Sequence, residues 1–580
     1  MVRDKGRLMP LVPLLGGNYQ GRSTQAASRR LCVNLYPERN PEEGQPLTPV
    51  TYYQTPGLLT VGTSPTVEGM RQSYRASNGA LYAVVGPNVY SVSSTFAWTL
   101  LGSITDAATP VVFSDNGLAI VIVDGSSTGY AIDMATNAFG PITDPSFMGA
   151  LWATQQDGFF IFNNPGTNQF YLSLSNVTYA MMTGVSGRIL SSSIASGGSG
   201  YVAGSYTNVP LTGGTGSGAT ANITVSGGGV VTVVTVVNPG AGYSLNDTLS
   251  ASNTNLGGSG SGFAYAVDEV ATAFDPLDIA SKSSFADPIA AVAAIHGVLW
   301  LIGELTSEVW APSGAADFYF QRITGAVVQH GCAAPYSVAQ QDVSLFWLSQ
   351  NAQGHAIVVR AQDTSIVRIS TNAIEADIQT YATISDAIGF CHQVEGHSFY
   401  ILTFPSADIT WAYDLSTGQW HRRVSIDGNG VQHRWRANCF AFAFGLNLVG
   451  DYQNGRFYSL DSSFFTDAGV AIPRIVTFPH VAHGGRRLFY SQFQAKAQVG
   501  AIVNTPASQA PTLTLRWSDD AGVTFGNGVQ QSLGATGQYL TSPQWQRLGM
   551  ARDRIFELSW SANADVALAG AWINWREAAT

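Results

Sequence analysis

The densest run of side chains able to do chemistry is Ser518-Asp519-Asp520-Ala521-Gly522-Val523-Thr524-Phe525. Its spacing, S-x-D-x-G-x-T-F, is that of a capped hairpin. The Asp520 carboxylate can accept backbone N–H groups, Gly522 can take φ > 0, and Phe525 can pack inward. That work is structural, and the box occurs once. Six acids, Asp124, Glu304, Glu308, Asp342, Asp414 and Asp451, lie in or near turns. Two carboxyl groups brought together could cleave a glycosidic bond, but at turns their usual task is to hold backbone N–H groups. His480 and His483 precede Gly484-Gly485-Arg486-Arg487 in a stretch of strand or loop character. A metal site would need a third ligand and a helix to set both rings on one face. Cys32, Cys332, Cys391 and Cys439 are far apart with no C-x-x-C pair, and read as free buried thiols. There is no G-x-x-x-x-G-K-[ST], no H-E-x-x-H and no nucleophile elbow. The expectation is a chain that is not an enzyme, with no catalytic, metal or cofactor-binding residue.

The elements that would position such groups are read from repetition. Seven phrases between Leu81 and Asp461 share one plan: an apolar strand, a polar or glycine-containing turn, then an aromatic-rich strand. They are LYAVVGPNVYSV, GLAIVIVDGSSTGYAIDM, GFFIFNNPGTNQFYLSL, GVLWLIGELTSEVWA, VSLFWLSQNAQGHAIVVRA, HSFYILTFPSADITWAYDLSTGQW and GLNLVGDYQNGRFYSLD. One hairpin cannot bury its own apolar face, so loosely similar hairpins in series predict a radial repeat. The fold class is therefore all-β, with a seven-bladed propeller over residues 63–475. Six blades remain open if an end hairpin belongs to a neighbouring element.

The repeat is interrupted. Over 186–270 the composition turns to Gly, Ser, Thr, Asn and Val, with no Lys or Arg between Arg188 and Lys282. Gly200-Tyr201 followed by GGTGSGA returns as Gly242-Tyr243 followed by GGSGSGF, around a GGGVVTVVTVV strand. Such β-branched runs predict a small β domain inserted into a propeller loop, with Tyr201 and Tyr243 in equivalent places. Without it about 325 residues remain, roughly 46 per hairpin, which suits the about 40–50 residues of a four-stranded blade. Residues 476–580 alternate apolar and polar between turns, as a β-sandwich does. Residues 1–62, rich in Pro and polar residues, read as an extended arm.

Charge limits function. Only 11% of the residues are charged and the net charge is −10, so the main body lacks the basic face that grips phosphates. The arm is the exception: Arg3, Lys5, Arg7, Arg22, Arg29 and Arg30 oppose only Asp4 before Glu38. The start, MVRDKGRLMPLVPLLGGNY, lacks the core and cleavage site of a signal peptide, and no stretch approaches a membrane span. A soluble, cytoplasmically made chain is expected.

Two resemblances follow from motifs. The box at 518–525 resembles the Asp-box of sialidases, where it is also structural, but no arginine trio for an acidic sugar can be assembled here. Gly17-Asn18-Tyr19-Gln20-Gly21-Arg22-Ser23, then Ser28-Arg29-Arg30-Leu31-Cys32-Val33-Asn34-Leu35-Tyr36-Pro37-Glu38 and Thr55-Pro56-Gly57-Leu58, resembles the opening of the packaged-DNA stabilisation proteins of short-tailed bacteriophages. Gly485-Arg486-Arg487-Leu488-Phe489, Leu515-Arg516-Trp517-Ser518-Asp519-Asp520-Ala521-Gly522 and Gln546-Arg547-Leu548-Gly549-Met550-Ala551-Arg552 are similar to that family's C-terminal domain. The resemblance implies a structural tail hub of the virion, assembled in the host cytoplasm. It implies a homo-oligomeric ring of six copies below the portal and its adaptor protein, carrying the tail needle and tailspikes or fibres. Packaged DNA would pass nearby without sequence-specific binding. On that reading Arg22, Arg29 and Arg30 dock to an acidic partner surface. The alternative is a carbohydrate-binding or glycan-cleaving β-propeller.

Overall fold

The computed structural model describes residues 12–13, 18–20, 31–39, 50–105, 109–315, 318–500 and 510–578. Strand accounts for 55% of it and helix for 4%, so the chain is all-β. Among the described residues, seven antiparallel units follow one another, starting at Met70, Val112, Ala153, Ile289, Ala339, Ile388 and Ala437; each is built on four strands, and the fifth gains Gly331–Cys332 as an extra strand. Each repeated phrase of the sequence supplies a unit's second and third strands. The second strands are nearly continuous apolar runs, as in Leu81–Val85 and Ala119–Val123, where every residue is buried. Strict alternation is absent because each unit is covered on both faces by its neighbours. Apolar cores fill every junction around the ring, from the first and second units to the sixth and seventh.

The ring closes by a strand from the chain's beginning. Gly57–Thr63 pairs antiparallel with Arg456–Asp461 and becomes the outer strand of the seventh unit. That unit then packs on the first, with Cys439, Leu448 and Phe457 against Met70, Leu81 and Ala83. Within residues 1–62, read from the sequence as an extended arm, the described strands join sheets of the body. Cys32–Val33 lies between the sixth unit and the C-terminal domain, pairing parallel with Arg422 and antiparallel with Ile475 and Val476. A single sheet thus runs from the propeller's sixth unit through Cys32–Val33 into Arg474–Thr477, Asp553–Trp560, Thr512–Ser518 and Val529–Ser532. Leu35–Arg39 and Val50–Gln54 join the other sandwich sheet, beside Leu568–Glu577. The physical reason is core closure. Cys32, Leu35 and Tyr52 are each no more than 1% exposed and share one core with Trp411 and Trp420 of the propeller and Phe493 and Phe556 of the sandwich.

The insert falls between Gln169–Leu172 and Ile279–Ser281, the third and fourth strands of the third unit. Its six strands, from Ile189–Ser199 to Ser261–Val270, enclose a core drawn wholly from the insert. The two repeats exchange tyrosines. The Tyr201 hydroxyl accepts the Phe263 N–H at 3.1 Å, and the Tyr243 hydroxyl accepts the Ala219 N–H at 3.4 Å. Each tyrosine of one repeat lies over a glycine of the other. A Cβ on Gly260 would come within 2.5 Å of the Tyr201 ring, and one on Gly216 within 2.5 Å of the Tyr243 ring. The insert's ends are held together, since Ala271 N donates to Arg188 O at 2.9 Å. Replacing residues 189–270 with a short Gly-Ser bridge is therefore expected to leave the propeller folded, with its main melting transition unmoved. Circular dichroism and calorimetry would show it; loss of the transition would make the insert part of the propeller core.

Candidate functional site

Of the six acids of the sequence reading, Glu304 is exposed, and the other five sit in local turn and side-chain contacts. Asp414 accepts the Ser416 N–H at 2.9 Å and the Thr417 hydroxyl at 2.8 Å, and meets His397 Nδ1 at 2.9 Å. Glu308 accepts the backbone N–H groups of Ser283 and Ser284 and the indole N–H of Trp310 at 3.2 Å. Asp451 accepts the Tyr458 hydroxyl and the Gln453 N–H, both at 2.8 Å. Asp124 accepts the Ser126 N–H, and Asp342 sits at a turn with φ +50. These are the turn-holding roles that short acidic side chains perform. The box behaves alike. Asp520 accepts the Ser518 hydroxyl at 2.6 Å and the Thr524 N–H at 2.9 Å, and these bonds hold its carboxyl down to about 2. His480 pairs with Asp553 and His483 with Glu577, so the two rings serve different acids. Among the described residues no group of three or more His, Cys, Asp and Glu could hold a metal.

First strands of the propeller units line an axial cavity of about 390 Å³. Its wall includes Arg71, Phe113, Trp152, Gln340, Cys391 and Phe440, and among the described residues no Asp or Glu lines it. Arg71 reaches backbone carbonyls there, donating to Thr109 O at 2.7 Å and Thr105 O at 3.0 Å. Burial pushes the Cys439 thiol up to about 11 and raises that of Cys391, so neither is a ready thiolate. All four cysteines are free and buried.

Arg22, Arg29 and Arg30 lie outside the described residues. The positions flanking that segment are anchored, with Gln20 Nε2 donating to Gln419 Oε1 at 3.4 Å and Leu31 N to Thr477 Oγ1 at 2.6 Å.

The joint between propeller and sandwich is a densely bonded polar site, and the residue pattern did not announce it. Asn34, 1% exposed and at φ +52, donates to Val424 O at 2.9 Å and Pro473 O at 2.8 Å, and accepts the Val424 N–H at 2.9 Å. Nearby, Ser425 Oγ donates to Asp467 Oδ2 at 2.9 Å. The guanidinium of Arg423 lies 3.9 Å from the Trp435 ring centre. Burial lowers Arg423 to about 10, with Asp467 opposing that shift. Arg474, fully buried, donates to the carbonyls of Phe465, Ile472 and Ala562. Together these bonds lock the sandwich to the sixth and seventh units. Charged residues buried in so charge-poor a chain were the available signal.

Comparison with known proteins follows this division of the chain. The family model described as "Bacteriophage P22 Gp10, beta-propeller" matches residues 10–180 and 266–465, and "Bacteriophage P22 Gp10, beta-sandwich" matches 474–576. The gap between the propeller matches covers nearly all of the insert. No curated protein matches. Similar solved structures include a streptogramin B lyase (8% identity, 70% of this chain and 97% of that one, TM-score 0.34). Others are the WD40 β-propeller domain of Doa1 (7%, 71% and 98%, TM-score 0.34) and the computationally designed Ika8 protein (10%, 69% and 99%, TM-score 0.31). With both domains matched in order over most of its length, the chain belongs to the bacteriophage P22 Gp10 family, the tail structural proteins of short-tailed phages.

Proposed function

We propose that this chain is the tail hub of a short-tailed phage virion. Six copies form a ring below the portal and its adaptor, retain the packaged DNA and carry the needle and the tailspikes or fibres. The observation that carries this reading is the family match across propeller and sandwich together. Two physical features support it. A sheet continuous across the joint makes propeller and sandwich one stiff body, suited to bearing load between head and tail. A net charge of −10 keeps the chain from holding phosphates, so DNA can leave past it.

Docking to the adaptor is assigned to Arg22, Arg29 and Arg30, which supply positive charge in a chain whose net charge is −10. Truncation of residues 1–40 is an unsuitable test, because residues 31–39 belong to the folded body. Changing the three arginines to glutamate leaves that body intact. The expected result is an unchanged melting curve and at least about a tenfold fall in incorporation onto portal–adaptor complexes, since several charge-assisted contacts are reversed. Six-fold rings at the adaptor in electron micrographs of wild-type complexes are expected alongside. Normal incorporation of the triple variant would remove the docking assignment, and absence of any particle association would remove the hub reading itself.

A further inference from the structure

The sandwich carries a trough of about 970 Å³ that the preceding roles leave unused. Its floor is the outward face of the sheet that runs on from the joint. Cross-strand register sets Ile475, Ser559, Thr514 and Gln530 in one row. Glu557 and Arg516 form the next row, with Arg516 Nε donating to Glu557 Oε1 at 2.5 Å. One wall is Phe525–Gly528, at the end of the Asp-box hairpin; the Phe525 ring centre is 4.9 Å from the Arg516 guanidinium. The box thus has a second consequence: its tight capping fixes the loop that carries this aromatic wall.

Two donors at the trough are unspent. Arg474 is 0% exposed and Trp560 4%, yet Arg474 Nε and Trp560 Nε1 have no hydrogen-bond partner. Both residues line the trough. A buried donor without an acceptor is unfavourable, and each such group calls for an explanation such as a ligand that supplies the acceptor. The rest of the lining is rich in hydroxyl and amide groups, which both donate and accept. The volume is that of a small-molecule or oligomer site.

We propose that this trough binds a saccharide chain. Saccharide hydroxyls also donate and accept, so they match the Thr, Ser, Gln and Asn floor. Their ring C–H faces match the half-buried Phe525 at its edge. A peptide would call for apolar side-chain pockets, and a nucleic acid for a surplus of available cations. Here the Arg516 guanidinium is committed to Glu557. The assignment stands independently of the hub reading.

The test uses the full-length protein and saturation-transfer NMR against a panel of neutral and uronic-acid-containing tri- to pentasaccharides. At least one member is expected to bind. The double variant Thr514→Val/Gln530→Ala is expected to weaken that binding at least about tenfold at an unchanged melting temperature. If the double variant fails to fold, Asn527→Ala on the exposed wall replaces it, with the same loss expected. The Arg22, Arg29 and Arg30 variant should bind saccharide normally, which separates this result from failure of assembly. No binding at about 10 mM saccharide, or equal binding by the trough variants, would overturn the assignment.

Discussion

Asn34→Ala is expected to destabilise the joint between propeller and sandwich by about 4 kcal/mol. The substitution strands the Val424 N–H and the carbonyls of Val424 and Pro473, all of which Asn34 satisfies. Buried groups left unpaired cost about 1–3 kcal/mol each, and relaxation recovers part of that sum. Alanine must also adopt φ +52, a left-handed conformation that asparagine tolerates and alanine resists by about 1 kcal/mol. Asn34→Gly separates the two contributions, because it removes the side-chain bonds without the backbone penalty. The measurement is the first transition in denaturant unfolding, with limited proteolysis between residues 461 and 474 as a second readout. The order expected is wild type, then Asn34→Gly, then Asn34→Ala. An unmoved first transition would mean that the joint is held by apolar packing alone.

Mild acid is expected to loosen the sixth and seventh propeller units before the rest of the protein. His392 and His421, each 1% exposed, sit within the sixth unit around Phe399, with Arg423 close enough to oppose a second positive charge. Burial, reinforced by Arg423, drives His392 down to about 3, and burial with Arg423 and the neighbouring histidines drives His421 well below its ordinary value. Below about pH 6.5 the unfolded chain takes up a proton at each ring that the folded chain excludes. Stability therefore falls as pH falls, and for His392 goes on falling to about pH 3. Between about pH 6.5 and pH 5 the loss at His392 is about 2 kcal/mol, and His421 adds to it in the same direction. Exposed His433 works the other way, since its hydrogen bond to Asp408 raises it, but a solvent-screened pair offsets little of the loss. Denaturant midpoints at pH 7.5 and pH 5 would show the fall. His392→Leu/His421→Leu should flatten it, and an equal slope in that variant would place the acid sensitivity elsewhere.

The all-β class, the propeller and the C-terminal sandwich were legible from the sequence because they rest on local periodicity. A strand covered on both faces must be apolar throughout, so LYAVV and AIVIV declare themselves without tertiary information. The insert was legible for a related reason: a change of composition and a repeated Gly-Tyr phrase are properties of the string. The structural role of the Asp-box was also local, since Ser518, Asp520 and Thr524 bond within one turn.

What the tertiary structure alone decided are pairings between residues hundreds of positions apart. Residues 31–63 look like a featureless arm because each of their strands is short and finds its partner elsewhere: Gly57–Thr63 on Arg456–Asp461, Cys32–Val33 between Arg422 and Ile475. No periodicity records such a partner. The tyrosine exchange within the insert, the Asn34 joint and the unspent donors of Arg474 and Trp560 share that character. Each depends on burial, and burial is set by which surfaces meet. The sequence by itself determined which segments must become strands and which families of fold could cover them. Only the closed ring and its continuous sheet determined which polar groups would be shut away from water, and so which had to be satisfied by one another.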